Sequence, residues 1–166
     1  EASTVLPALH KHEYDLAFIR DYEVDLNEYS SLGIVSDKLM VAVSKDHRFS
    51  TRKSLSLLEL ADENFITYNK GTLVYELSVN ACKLAGFEPR VFYASLRGAS
   101  IIGLVAANSG IALMMEKVFN YYQRSDVVSI PLQVAITSRI ILAYPKNRKL
   151  SKSAKTFLDF IKGQID

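Results

Sequence analysis

Short apolar runs alternate with helix-spaced apolar stripes along this chain, and that alternation limits the fold more than any other feature. The runs at residues 14–19, 39–43, 65–68, 90–94, 111–115 and 139–144 have the length and residue types of buried strands. Between them lie helical stripes. Val5, Leu6 and Leu9 mark a short helix over residues 3–12, with Pro7 placed where only a first turn tolerates it. Leu57, Leu58 and Leu60 follow a cap at Ser54 or Ser56. Val74, Leu77, Ala81 and Leu84 form a longer stripe that opens after a turn at 69–72 and ends at Gly86. Ile101, Ile102, Val105 and Ala106 precede a stop at Gly110, and Ala154, Phe157, Leu158, Ile161 and Ile165 line the last helix. Residues 20–31 are polar and read as a loop. Strands alternating with helices predict an α/β fold with a largely parallel sheet.

The alternation is uneven along the 166 residues. At roughly 150 residues per domain this length gives one compact unit or two small lobes. The centre holds a full set of strand–helix units, whereas the ends supply only a few elements that must share one sheet to be buried. The expected division is a second lobe at 42–132 and a discontinuous, incomplete first lobe made of 1–41 and 133–166. The chain would cross between them twice.

Several function classes are excluded or unsupported. A net charge of +2 is too mild to argue for nucleic-acid binding by this segment. No apolar run approaches the roughly 18 residues of a membrane span, so no membrane partner is expected. Cys82, the only cysteine, can form neither an internal disulfide nor a cysteine zinc site; a buried small hydrophobe is the better reading than a redox sensor. His10 and His12 are two apart, which on a helix puts them on different faces and argues against a metal pair. His47 reads as structural, and Glu76, Lys83 and the basic residues around Arg148 as solvated faces. There is no GxSxG elbow, Walker loop or GxGxxG, so the chain is expected not to be an enzyme and to carry no cofactor. The start at Glu1 shows no signal-peptide pattern, and with the lone cysteine this suggests a cytoplasmic protein.

Residues 13–19, EYDLAFI, resemble the GELDLAI strand of the effector-binding domain of LysR-type transcriptional regulators. Residues 38–47 resemble the same family's crossover strand and DHP turn, and 55–68 its SLxELADxPFIxY segment. Residues 81–89 match ACxxAGFxP, and 102–113 match IxxLVAAGxGIAL. Arg48, Asn108 and Met115 replace the usual Pro, Gly and Pro. The motifs keep family order and spacing over nearly the whole chain. The resemblance implies a two-lobed, type 2 periplasmic-binding-protein-like α/β fold whose first lobe lacks an initial strand, helix and strand. It implies a small-molecule effector, with a carboxylate as one candidate, bound in the interlobe cleft. It further implies a homodimer or tetramer formed through this domain, and DNA contact only through a winged helix-turn-helix that this chain does not contain.

Two groups of residues are candidates for the effector. Arg20 follows the first strand, where a guanidinium can hold a carboxylate bidentately; the alternative is a surface pair with Asp21 or Glu23. Ser3 lies beside the position, here Ala2, at which the family places an effector-facing hydroxyl. The second group is Thr67, Tyr68, Asn69 and Gly71, with Ser95 and Ser100, at strand ends and helix starts of the second lobe. For Asn69, Thr72, Ser95 and Ser100 the alternative is helix capping. Tyr121, Tyr122 and Phe119 suit either an interface or core packing. The alternative function is an extracytoplasmic solute-binding protein of a transporter.

Overall fold

The computed structural model describes residues 2–21, 25, 27–122 and 124–165, with the side chains of residues 2–4 outside that description. The chain divides into two compact units, Glu1–Ser36 with Ser138–Asp166, and Asp37–Thr137.

In the terminal unit, α1 (Ala2–His10) precedes β1 (Ala17–Arg20), and β7 (Thr137–Pro145) leads to α5 (Lys152–Ile165). Alternation sets the faces of β1: Ala17 and Ile19 are buried while Phe18 is exposed. The buried pair packs with Leu9 of α1 and with Ile141 and Ala143 of β7. Pro7 sits in the second turn of α1 rather than the first. It removes one amide donor there, and the closing bond from Lys11 N–H to Pro7 O at 2.9 Å is kept. On the opposite face, Phe18 meets Phe157 of α5 edge to face, with centroids 6.3 Å apart. Only Ala154 and Leu158 of α5 are fully buried; Phe157 and Ile165 from the predicted stripe are exposed.

The central unit continues β2 (Tyr29–Ser44) and adds β3 (Asn64–Tyr68), α2 (Leu73–Leu84), β4 (Arg90–Ser95), α3 (Gly98–Ala106), β5 (Ala112–Met115), α4 (Glu116–Tyr122) and β6 (Val127–Pro131). The second half of β2 lies between β5 and β6. Its core joins Ala42, Ile66, Ile101, Val105, Ala112 and Met114.

The structure corrects four expectations. The pairings β1–β7, β2–β5 and β2–β6 are antiparallel, and β3–β4 is parallel. Parallel neighbours need a crossover, and of these pairs only β3 and β4 are joined by one helix, α2. Residues 29–31, read as loop, begin β2, which is far longer than the apolar run at 39–43. Leu84 closes α2 on its solvent side at 90% exposure, and the buried face is Leu77, Ser78, Val79 and Cys82. The left-handed residue that ends α3 is Asn108, with φ of 55°, not Gly110. Asn tolerates that region, so its replacement of the family's glycine leaves the stop intact.

Candidate functional site

β3 and β4 run parallel, so both end at one edge of the sheet, and α2 and α3 start there. Such an edge gathers strand C-termini and unsatisfied helix N–H groups, the usual setting for ligands in α/β proteins. Thr67 pairs with Ala94 and Tyr68 with Ser95 at this end. Asn69 N–H donates to Ser95 O at 3.2 Å, which closes the two strand ends together.

Within this edge the predicted residues differ in role. Thr67 is 6% exposed, and its Oγ1 is buried with no hydrogen-bond partner among the described residues. That is a polar group whose burial costs free energy until something bonds to it. Asn69 does not cap α2; Thr72 does, its Oγ1 accepting from Tyr75 N–H at 3.4 Å. The Asn69 carbonyl instead accepts from Thr72 N–H and Oγ1–H, at 3.1 and 2.7 Å. Gly71 has φ of +87°, a conformation that requires glycine, and its N–H donates to Glu76 Oε1 at 3.1 Å. Glu76 is therefore part of this turn rather than a plain solvated residue. Ser95 Oγ accepts from Arg97 N–H at 3.1 Å, a turn contact leading into α3. Ser100 is exposed on the first turn of α3, whose N-cap is Arg97.

Sequence reasoning missed the neighbours of Tyr68. A Cβ placed on Gly98 would stand 2.9 Å from Tyr122 Oη and 3.0 Å from Tyr68 Oη. Burial, and secondarily the nearby Tyr122, pushes the Tyr68 phenol above its ordinary value, so it stays a neutral hydrogen-bond donor. Tyr122 and Phe119 pack against the core, whereas Tyr121 is 83% exposed. The contact joins three elements distant in sequence and leaves no local signal.

In the terminal unit, Arg20 is half-buried at the last position of β1, in register with Ile140. Asp21 is held by Arg139, whose N–H and Nε–H donate to its carboxylate at 2.8 and 2.6 Å. Burial would raise the Asp21 carboxyl, but the Arg139 backbone and then its guanidinium outweigh it and hold the group below its ordinary value. Glu23 and the side chain of Ser3 lie outside the described residues.

The remaining candidates are structural. His47 accepts Phe49 N–H on Nδ1 at 3.2 Å, which leaves Nε2 to face Glu63 at 3.4 Å. Cys82 is fully buried and desolvation pushes its thiol up to about 12, which keeps it protonated at neutral pH, as the buried-hydrophobe reading expects. Arg148 is not merely solvated: it donates to the Tyr14 carbonyl and pairs with Asp15. α1 ends at His10, and His12 takes a left-handed φ of 66°, so the helical-face argument against that pair does not apply. Both line one surface recess of about 250 Å³. Among the described residues, no group of three side chains is placed to hold a metal ion, and none of the helices is long and apolar enough to cross a membrane.

The family model described as LysR substrate binding domain matches residues 1–166. The transcriptional dual regulator GltC of Bacillus subtilis is 27% identical over 158 residues, 95% of this chain and 53% of its own length. The chain thus spans about half the length of the curated relatives it matches. Among solved structures, the Synechocystis PCC6803 CcmR regulatory domain in complex with 2-PG aligns with a TM-score of 0.83 at 20% identity, over 98% of this chain and 79% of that one. The effector-binding domain of QuiR in complex with shikimate gives a TM-score of 0.78 at 22% identity, over 98% and 77%. These likenesses establish the fold, the periplasmic-binding-protein-like α/β fold.

Proposed function

The chain belongs to the LysR substrate-binding domain family, and from that membership we propose that it senses a small-molecule effector on behalf of a DNA-binding transcriptional regulator. The match over the whole chain carries this reading. Related domains have been solved with shikimate, 2-PG and benzoate, all of which present a carboxylate, so an organic acid is the first ligand class to test. The relatives are transcriptional regulators and lend no support to the transporter alternative or to catalysis. DNA contact belongs to a separate helix-turn-helix segment, and the working compartment is the cytoplasm.

The two units serve as the lobes of the sensor. Arg20 supplies the carboxylate pair from the terminal lobe, and Ser3 a hydroxyl. Thr67, Asn69, Gly71, Ser95 and Ser100 form the rim on the central lobe. Thr67 is the best supported of these, because a buried hydroxyl without a partner gains a bond when a ligand arrives. An effector acts by binding one lobe arrangement better than another, which shifts the population and, through a homodimer or tetramer, the regulator's geometry on DNA.

A thermal-shift screen of small organic acids tests the proposal. A binder at 100 times its Kd should add about 2.7 kcal/mol of stability. Arg20→Ala should weaken that response about tenfold or more, a larger effect than its loss of ligand-free stability. A response of the same size in Arg20→Ala removes Arg20 from the site. No stabilisation by any acid, with the full-length regulator equally silent, removes the organic-acid reading.

A further inference from the structure

Two unusual contacts of the central unit lie at opposite ends of one helix, α4, which is seven residues long. At its C-terminal end, Tyr122 reaches over the first turn of α3. The hydroxyls of Tyr122 and Tyr68 both come within 3.0 Å of the space that Gly98 leaves open. Tyr68 ends β3 at the candidate rim, beside Ser95. At its N-terminal end, Asp37 Oδ1 accepts Lys117 N–H at 3.2 Å and Lys38 N–H at 3.0 Å. Lys38 Nζ stands 3.4 Å from Glu116, a second tie between β2 and the start of α4. Asp37 is 4% exposed, and it is the first residue of the central unit after β2 leaves the terminal one.

Between these ends Val118 and Phe119 press on the core. Seven residues span only about 10 Å as helix, too short a rod to absorb a push by bending. Close-packed surroundings pass small displacements on rather than dissipating them. Gly98 is the position where such a push would start, because any group that draws Tyr68 Oη toward the rim changes what Tyr122 meets.

We propose that α4 couples the effector rim to the crossover strand: a change at the Tyr68–Gly98–Tyr122 contact shifts the first turn of α4 against Asp37. The inference rests on the effector-sensing reading and supplies its regulatory route. Tyr68, Tyr122 and Asp37 are positioning residues in it. Coupling of this kind is reciprocal, so a change at Asp37 is also felt at Tyr68.

The test uses the ligand-free chain and site-resolved amide hydrogen exchange, with amides of α2 and α5 as internal references. Gly98→Ala, which forces the two hydroxyls apart, should speed exchange at Lys117 by about threefold or more over the references. Tyr122→Phe keeps the ring and should do the same to a smaller extent. In the reverse direction, Asp37→Asn should shift the phenol titration of Tyr68 followed spectroscopically. If Gly98→Ala accelerates every amide equally, the fold itself has weakened and Tyr122→Phe decides alone. Unchanged relative protection at Lys117 in Tyr122→Phe overturns the coupling, and so does an unmoved Tyr68 titration in Asp37→Asn. No effector enters this test, so a failed ligand screen counts against the sensing reading and leaves the exchange result standing.

Discussion

Two glycines seven residues apart show how little a residue's identity says without its surroundings. A Cβ on Gly110 would stand 2.5 Å from the Asn64 carbonyl oxygen and 3.2 Å from its carbon. Those are backbone atoms of β3, locked by the bond from Ile111 N–H to Asn64 O at 2.9 Å. Nothing there yields as a flexible side chain would. Gly103, inside α3, has no atom within 4 Å of its would-be Cβ. Gly110→Ala should therefore cost about 1–3 kcal/mol of unfolding free energy by forced backbone displacement. Gly103→Ala should instead stabilise by up to about 1 kcal/mol through helix propensity. Urea titrations with unchanged m-values measure both; equal effects at the two sites would refute the close approach of β5 to β3. Both glycines lie in one apolar segment, and although the sequence reads Gly110 as a helix stop, its tight packing is a contact with a residue more than forty positions away and leaves no local signal.

At the scale of elements, legibility followed apolar content. β1, β3, β5 and β7 coincide with apolar runs, and α2, α3 and α5 with stripes, because each buries a face made from its own neighbours in sequence. The first half of β2 mixes serines with Leu32, Ile34 and Val35 and is only partly buried, so it shows no continuous apolar run, and it pairs beside β7. α4 has no fully buried residue, and β6 buries only Val127 and Ile130 of its five residues, so neither shows a continuous apolar run or stripe. The same physics limited the candidate site: Thr67, Asn69 and Ser95 sit at ends of readable strands, whereas Gly98 and Tyr122 matter only through contacts across three elements. Leu84 marks the limit of periodicity, which places it on the stripe although the end of α2 has already left the core. Leu77→Ala should cost about 2–5 kcal/mol as a buried truncation, and Leu84→Ser less than about 0.5 kcal/mol, both measured by denaturation of dilute protein. A large loss in Leu84→Ser would mean that α2 is packed along its whole length.

Across the whole molecule, apolar side chains left outside the core raise the question of a second copy. In the central unit Leu84, Phe92 and Leu96 are 90%, 62% and 69% exposed, and every residue of β4 before Ser95 is exposed. Among the described pairings β4 is hydrogen-bonded to β3 alone, so its other edge presents unpaired backbone groups. Natural proteins blunt or cover such an edge, and Arg90 is the only charge in this strand to do so. A stable interface needs about 800 Å² from each partner, more than β4 alone can supply, so other exposed apolar side chains of the central unit, Leu84 and Leu96, are candidates to extend it. On the proposed function, this exposed apolar surface is the candidate contact for the homodimer. Sedimentation velocity on the ligand-free chain should show a reversible dimer. Joint Leu84→Ser and Phe92→Ser substitutions should shift it to monomer while the unfolding midpoint of dilute protein stays within error, because neither side chain belongs to the core. A dimer that persists in the double variant places the interface elsewhere, and the exposed aromatics of the terminal unit, Phe18 and Phe160, are then the surface to alter.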